Sequence, residues 1–79
     1  MERDRLLDEL RGLLKDVLQA RFDGAAYSKL SRVHGYADGY MRALMDSGLV
    51  DKDTLIEVVC EERRRFVERE SVVSATVAA

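Results

Sequence analysis

Apolar residues recur at alternating spacings of four and three in two successive stretches of this 79-residue chain. This spacing keeps their side chains on one side of an α-helix, whose repeat is 3.6 residues. The first stretch comprises Leu6, Leu10, Leu13, Val17 and Ala20, and the second comprises Ala26, Leu30, Val33, Ala37, Tyr40 and Leu44. The chain has no proline to interrupt either stretch. We therefore predict two amphipathic helices whose apolar faces pack together.

Glycines mark the places where these helices should end. Gly24 and Gly48 follow the apolar stretches, and glycine readily adopts the left-handed backbone that terminates a helix. At the first corner Asp23 offers an alternative, because its carboxylate could instead cap the second helix. Phe22 and Tyr27 would then form a hydrophobic staple around that cap. Both interpretations place a tight corner between the first two helices.

A third helix is predicted to begin shortly after Gly48. Asp51 suits the N-cap position, and Val50 and Leu55 would form a second hydrophobic staple around it. The residues near the core face of this helix are Leu55, Val58, Val59, Glu62 and Phe66. The three helices are predicted over residues 3–22, 25–47 and 52–70.

The C-terminal residues carry no charge and no capping residue. We therefore take residues 1–70 as a single helical domain and expect residues 71–79 to form a frayed tail. The alternative is an extension of the third helix that packs on a subunit through Val72, Val73 and Val77.

A chain this short has a thin core, and small domains usually need a disulfide, a metal or a partner subunit. Cys60 is the only cysteine, so an intrachain disulfide is excluded, and no cysteine or histidine cluster predicts a metal site. A partner subunit remains. We expect an all-α fold: a three-helix chain with an antiparallel helical hairpin that pairs into a helical-bundle homodimer.

The charge pattern and hydropathy exclude several classes of protein. The net charge of −2 gives no basic footprint for nucleic acid or anionic lipid. No apolar run approaches the length of a membrane span, and the N-terminal residues do not resemble a secretory signal. A lone cysteine fits a reducing compartment. We expect a cytoplasmic protein that does not enter the membrane.

The residues most often used in catalysis are sparse. His34 is the only histidine, and Asp38 follows it by one helical turn, so the two are expected to pair. Cys60 has acidic neighbours, which disfavour a reactive thiolate, so we expect it to pack beside Val59. Adjacent carboxylates such as Glu61 and Glu62 are expected on the solvated surface. The sequence predicts no catalytic, cofactor-binding or metal-binding residues.

Two glycines in the second predicted helix need an explanation. Gly35 and Gly39 lie one turn apart, roughly opposite the apolar face, and each disfavours the helix by about 1 kcal/mol relative to alanine. A stripe of small residues lets another helix approach closely. Tyr36 and Tyr40 border the stripe, and tyrosine is common at interfaces. We predict a second packing surface here, for the third helix or a partner chain; the alternative is glycine tolerated on a solvated face.

Arg63, Arg64 and Arg65 form the only basic cluster. They are interleaved with acidic residues, and the spacings from Glu61 to Arg65 and from Glu62 to Arg69 favour ion pairs along a surface helix. The alternative is that these arginines contact nucleic acid, with dimerisation supplying two copies of the patch.

Residues 41–55 are similar to a helix-turn-helix, with Gly48 in the turn before a capped second helix. Two apolar residues, rather than one, separate that glycine from the cap. The first turns of the second helix would present Asp51, Asp53 and Glu57 to the duplex, which would repel them. This segment therefore gives little support to DNA recognition.

The sequence thus favours a non-enzymatic helical module: an adaptor, an inhibitor or a small regulatory subunit that forms a homo-oligomer and binds another protein. The residues predicted to make its contacts are Gly35, Tyr36, Gly39 and Tyr40, together with Arg63, Arg64 and Arg65. The alternative function is a small dimeric nucleic-acid-binding regulator that uses Arg63–Arg65.

Overall fold

The structure is a computed structural model that describes the backbone of residues 2–78 and the side chains of residues 2–71. Three helices follow one another: α1 (Glu2–Phe22), α2 (Tyr27–Asp46) and α3 (Lys52–Ala78). The predicted all-α class is confirmed, and residues 2–78 contain no strand. Both ends of α1 and α2 lie within two residues of their predicted positions.

Helix α3 continues well past its expected end at residue 70 and reaches Ala78. Neither glycine nor proline occurs after Gly48, so the chain contains no strong helix breaker in this segment. The backbone of the expected tail is therefore helical to Ala78. The side chains of Val72, Val73 and Val77 lie outside the described residues.

Gly24 ends α1. Its φ angle is +68°, and its N–H donates to the carbonyl of Arg21 at 3.1 Å. The N–H of Ala25 donates to the carbonyl of Ala20 at 2.9 Å. These two bonds satisfy carbonyls that the end of a helix would otherwise leave unpaired, and together they form a Schellman motif.

The alternative role of Asp23 as the cap of the second helix is wrong. The N-cap of α2 is Ala26, which makes no side-chain capping bond. The carboxylate of Asp23 instead accepts a hydrogen bond from Gln19 at 2.9 Å. Phe22 packs edge-to-face on Phe66, with ring centroids 5.9 Å apart, so it is not available for the staple predicted with the exposed Tyr27.

The start of α3 follows the prediction. Asp51 Oδ1 accepts a hydrogen bond of 2.8 Å from the backbone N–H of Thr54, which is the N-cap geometry. Val50 and Leu55, on either side of the cap, are both buried in the hydrophobic core. Gly48 precedes them with a φ angle of +76°, a conformation that favours glycine.

Helix α1 is the central element of the fold. Both α2 and α3 pack on it, whereas α2 and α3 scarcely touch each other. The short connection over residues 23–26 makes α1 and α2 the expected hairpin. Leu14 lies beside the predicted apolar face of α1 and is buried, so this helix presents a stripe wide enough for two neighbours. The result is a thin molecule of 47 × 28 × 19 Å.

A buried carboxylate on α3 forms an ion pair with α1. The Glu62 side chain is only 1% exposed, and its Oε1 accepts a 2.9 Å hydrogen bond from Arg11 on α1. The Arg11 guanidinium also reaches Glu61 at 3.3 Å, and Arg65 lies 3.5 Å from Glu62. The hydrogen bond to Glu62 is the main reason that the pKa of Arg11 is raised above its ordinary value.

The placement of Glu62 corrects the expectation of a solvated carboxylate. Its position continues the apolar face of α3 between Val58 and Phe66, and that face packs on α1. The guanidinium of Arg69, which the spacing pairs with Glu62, lies over the ring of Phe66 at 5.7 Å. The predicted pair of Glu61 with Arg65 is present at 2.5 Å.

We predict that removing only one member of the Arg11–Glu62 pair destabilises the chain. Arg11→Met leaves the buried carboxylate with Arg65 alone and should lower the free energy of unfolding by about 3 kcal/mol. The double variant Arg11→Met with Glu62→Leu replaces both charges by apolar groups and should unfold within about 1 kcal/mol of wild type. Urea denaturation of all three proteins measures this. Equal loss in the single and double variants would contradict it.

A second prediction concerns the cap of α3 at low pH. Hydrogen bonds from the hydroxyl and then the backbone N–H of Thr54 hold the pKa of Asp51 below its ordinary 3.8. A lowered folded-state pKa contributes stability above the unfolded-state pKa, and this contribution is lost as pH falls through the folded-state value. Asp51→Asn retains a capping oxygen but does not titrate in this range.

The melting temperature of wild type should therefore exceed that of Asp51→Asn at about pH 6, and the gap should close by about pH 2. Asp16→Asn, on the exposed surface of α1, controls for the loss of one carboxylate. A gap that stays constant with pH would show that the cap does not depend on the charge of Asp51.

Candidate functional site

The described residues contain no group of side chains that resembles a metal centre. No cluster of three or more His, Cys, Asp or Glu side chains within them could hold a metal ion. His34 Nδ1 lies 3.2 Å from Asp38 Oδ2, so the predicted pair is confirmed, and both side chains are exposed. No helix in the described part of the chain is long and apolar enough to cross a membrane.

A groove lies between α2 and α3. It exists because both helices pack on α1 without closing on each other. Its volume is about 540 Å³. Its walls are formed by Asp38, Met41, Arg42, Met45 and Asp46 of α2 and by Lys52, Leu55, Ile56, Val59 and Cys60 of α3.

A smaller pocket of about 150 Å³ adjoins the groove, nearer the connection between α1 and α2. The two cavities share three lining residues, Asp38, Met41 and Val59, and we refer to the smaller pocket as the deep end of the groove. Here α1 supplies the floor. The other residues of this deeper pocket are Leu14, Val17, Leu18, Arg21, His34, Ala37 and Arg63. Residues of all three helices therefore line this smaller pocket.

Exposed apolar side chains make the groove suited to binding. Ile56 is 50% exposed and Met45 is 40% exposed, and Met41 and Val59 are half-buried beside them. Large apolar side chains left in contact with water along a concave surface mark interaction sites. Methionine adapts its shape to different partners because its side chain is unbranched and flexible.

Cys60 opens onto the same groove. Its thiol is exposed, so the expectation of a packed side chain beside Val59 is wrong. The groove around it carries Asp38, Arg42, Asp46 and Lys52, and no histidine lines this part of it. A nucleophilic cysteine needs a neighbouring base, and histidine usually supplies it.

The glycine stripe lies outside this groove. An added Cβ at Gly35 or Gly39 meets no heavy atom within 4 Å, so α3 does not pack on the stripe. Tyr36 is 62% exposed, whereas Tyr40 is half-buried and packs against the core. Gly35 borders a shallow depression of about 390 Å³ beside Tyr27 and Leu30.

The three consecutive arginines do not form one surface. Successive residues on a helix point about 100° apart. Arg63 lines the deep end of the groove, Arg64 is exposed, and Arg65 is engaged by Glu61 and Glu62. The sequence therefore indicated a single patch where the structure separates the three side chains.

Sequence reasoning missed the groove itself. Its signal was present in Met41, Met45 and Ile56, which are apolar but lie beside the main apolar faces of their helices. Such residues could have been read as a second apolar face. The residues that α1 contributes to the lining could not be inferred from the sequence, because they depend on how far apart α2 and α3 lie.

No family model matches the chain, and comparison with curated proteins and with solved structures finds no match to either.

We predict that Gly39→Ala stabilises the isolated chain. The position is inside α2, is exposed and has open space around an added methyl group. Alanine should therefore raise the free energy of unfolding by about 0.5–1 kcal/mol, as measured by urea denaturation. Gly48→Ala should lower it, because the φ angle of +76° strains any other residue. Destabilisation by Gly39→Ala, measured at a dilution where the chain is monomeric, would contradict this prediction.

Proposed function

We propose that this protein is a non-enzymatic interaction module that binds a helix of another protein in the groove between α2 and α3. It would act as an adaptor, an inhibitor or a small regulatory subunit. The observation that carries this proposal is the open apolar groove with Met45 and Ile56 exposed along it. An amphipathic helix that lays its apolar face into a hydrophobic groove is a common mode of protein recognition.

The shape of the bundle supports a helix as the ligand. Three helices arranged with one in the centre leave one side of the hairpin uncovered. A fourth helix placed between α2 and α3 would complete a four-helix bundle and cover the apolar side chains of the groove. The ridge of such a helix would pack between Met41 and Met45 on one side and Ile56 and Val59 on the other.

Homodimerisation is a second part of the proposal, and it uses a different surface. Gly35 and Gly39 leave open space on α2, and the exposed ring of Tyr36 lies next to them. A helix of a second copy could approach the backbone closely along this stripe. The exposed lone thiol of Cys60 suits a reducing compartment, so we place the module in the cytoplasm.

Nucleic acid is the less favoured ligand. Binding a phosphate backbone needs several cations on one face. Arg63 and Arg64 point in different directions, and Arg65 is already paired with two carboxylates. These positions support a protein partner rather than a duplex or RNA.

Two substitutions separate the proposed surfaces. Ile56→Arg places a charge in the groove and should abolish capture of a specific partner from the source cell without changing the oligomeric state. Gly39→Leu should convert the homodimer to a monomer, as measured by sedimentation equilibrium, without affecting partner capture. Val67→Arg is the matched control for the groove, because Val67 is similarly exposed on α3 but lies outside it. Circular dichroism verifies the fold of each variant.

Loss of capture in Val67→Arg but not in Ile56→Arg would contradict the groove as the binding site. If Gly39→Leu has the same oligomeric state as wild type, whether monomer or dimer, the stripe is not the dimer interface.

A further inference from the structure

We propose that the helix bound in the α2–α3 groove is acidic at one end, where its carboxylates contact Arg21 and Arg63. This inference rests on the proposed function and specifies the chemistry of the partner. Arg21 comes from the last turn of α1 and Arg63 from the middle of α3, and both line the deep end of the groove. The apolar walls near Met45 and Ile56 lie toward the other end.

The charge of the groove differs in sign from that of the whole molecule. The two adjoining cavities are lined by four basic side chains, Arg21, Arg42, Lys52 and Arg63, and by two acidic ones, Asp38 and Asp46. Four minus two gives a local charge of +2, with His34 counted as neutral. The full chain carries −2. A local surplus of one sign selects a partner of the opposite sign.

The two arginines at the deep end are also free to bind. Among the side chains of residues 2–71, neither Arg21 nor Arg63 forms an ion pair. Arg11 and Arg42, by contrast, are engaged by Glu62 and, at 3.8 Å, by Asp46. Asp38, which lines the same pocket as the two arginines, is paired with His34.

These features define the sequence pattern of the partner. A guanidinium binds a carboxylate through two parallel hydrogen bonds, which fixes the position of the carboxylate as well as attracting it. The groove walls require apolar residues at helical spacings of three and four. The ligand should thus carry an apolar stripe that ends in a turn rich in glutamate or aspartate. The acidic turn would set which end of the helix lies over α1.

The test uses synthetic peptides of about four helical turns. One carries a leucine stripe with glutamates in the turn at one end, and a second carries lysines at those same positions. A third has the acidic composition with the leucine spacing scrambled. Binding is followed by the rate at which iodoacetamide alkylates Cys60, since a helix in the groove covers this exposed thiol. Fluorescence anisotropy of labelled peptides gives the dissociation constants.

The acidic amphipathic peptide should slow alkylation and bind at least about tenfold more tightly than the lysine peptide, with a preference that weakens as salt rises. Arg21→Gln and Arg63→Gln should each reduce that preference. Both residues are exposed, so the fold should be retained. Arg64→Gln is the matched control, because Arg64 is exposed on the same helix but does not line the groove.

The outcomes distinguish this inference from the function on which it rests. Equal protection by the acidic and lysine peptides would overturn the acidic partner and leave the groove as a helix-binding site. If the scrambled peptide protects Cys60, or if none of the peptides does, both the acidic partner and the groove as a helix-binding site would be overturned. Protection of Cys60 that grows with protein concentration alone would show that a second copy occupies the groove, and would overturn the acidic partner.

Discussion

The fold depends on a single helix with an apolar stripe wide enough for two neighbours. Helix α1 buries Leu10, Leu14 and Val17 and receives both α2 and α3, which have few contacts with each other. In a bundle of this size each helix must cover the apolar face of another, because no second layer is available. Here α1 covers the apolar faces of both α2 and α3. The groove is the geometric consequence, because α2 and α3 make few contacts with each other.

A polar contact also joins α3 to α1. Glu62 occupies a core position, where its Oε1 is paired with Arg11 and Arg65, whereas its buried Oε2 has no hydrogen-bond partner among the described residues. Buried ion pairs add little net stability compared with apolar residues, but their geometry can select one arrangement among several. The Arg11–Glu62 pair joins α3, which forms one wall of the groove, to the helix on which α2, the other wall, also packs.

Two surfaces of different character remain available for binding. The α2–α3 groove is concave, apolar and locally positive, whereas the stripe around Gly39 is open and lined by small residues. A helix fits both, but in different ways: the groove would bury its apolar face, and the stripe would admit its backbone at close range. Separate surfaces would allow a dimer and a partner complex to coexist. An adaptor of the kind proposed would use both surfaces at once.

The sequence by itself determined the helices, their ends and most of their buried faces. The spacing of apolar residues, the left-handed glycines at Gly24 and Gly48, and the cap at Asp51 are local signals that act within a few residues. Only the tertiary structure decided that Glu62 is buried, that Cys60 opens onto a groove, and that Arg63 and Arg65 face different surroundings. The physical reason is that burial of a helix face is set by the neighbouring helix, and the divergence of α2 from α3 appears in no single segment.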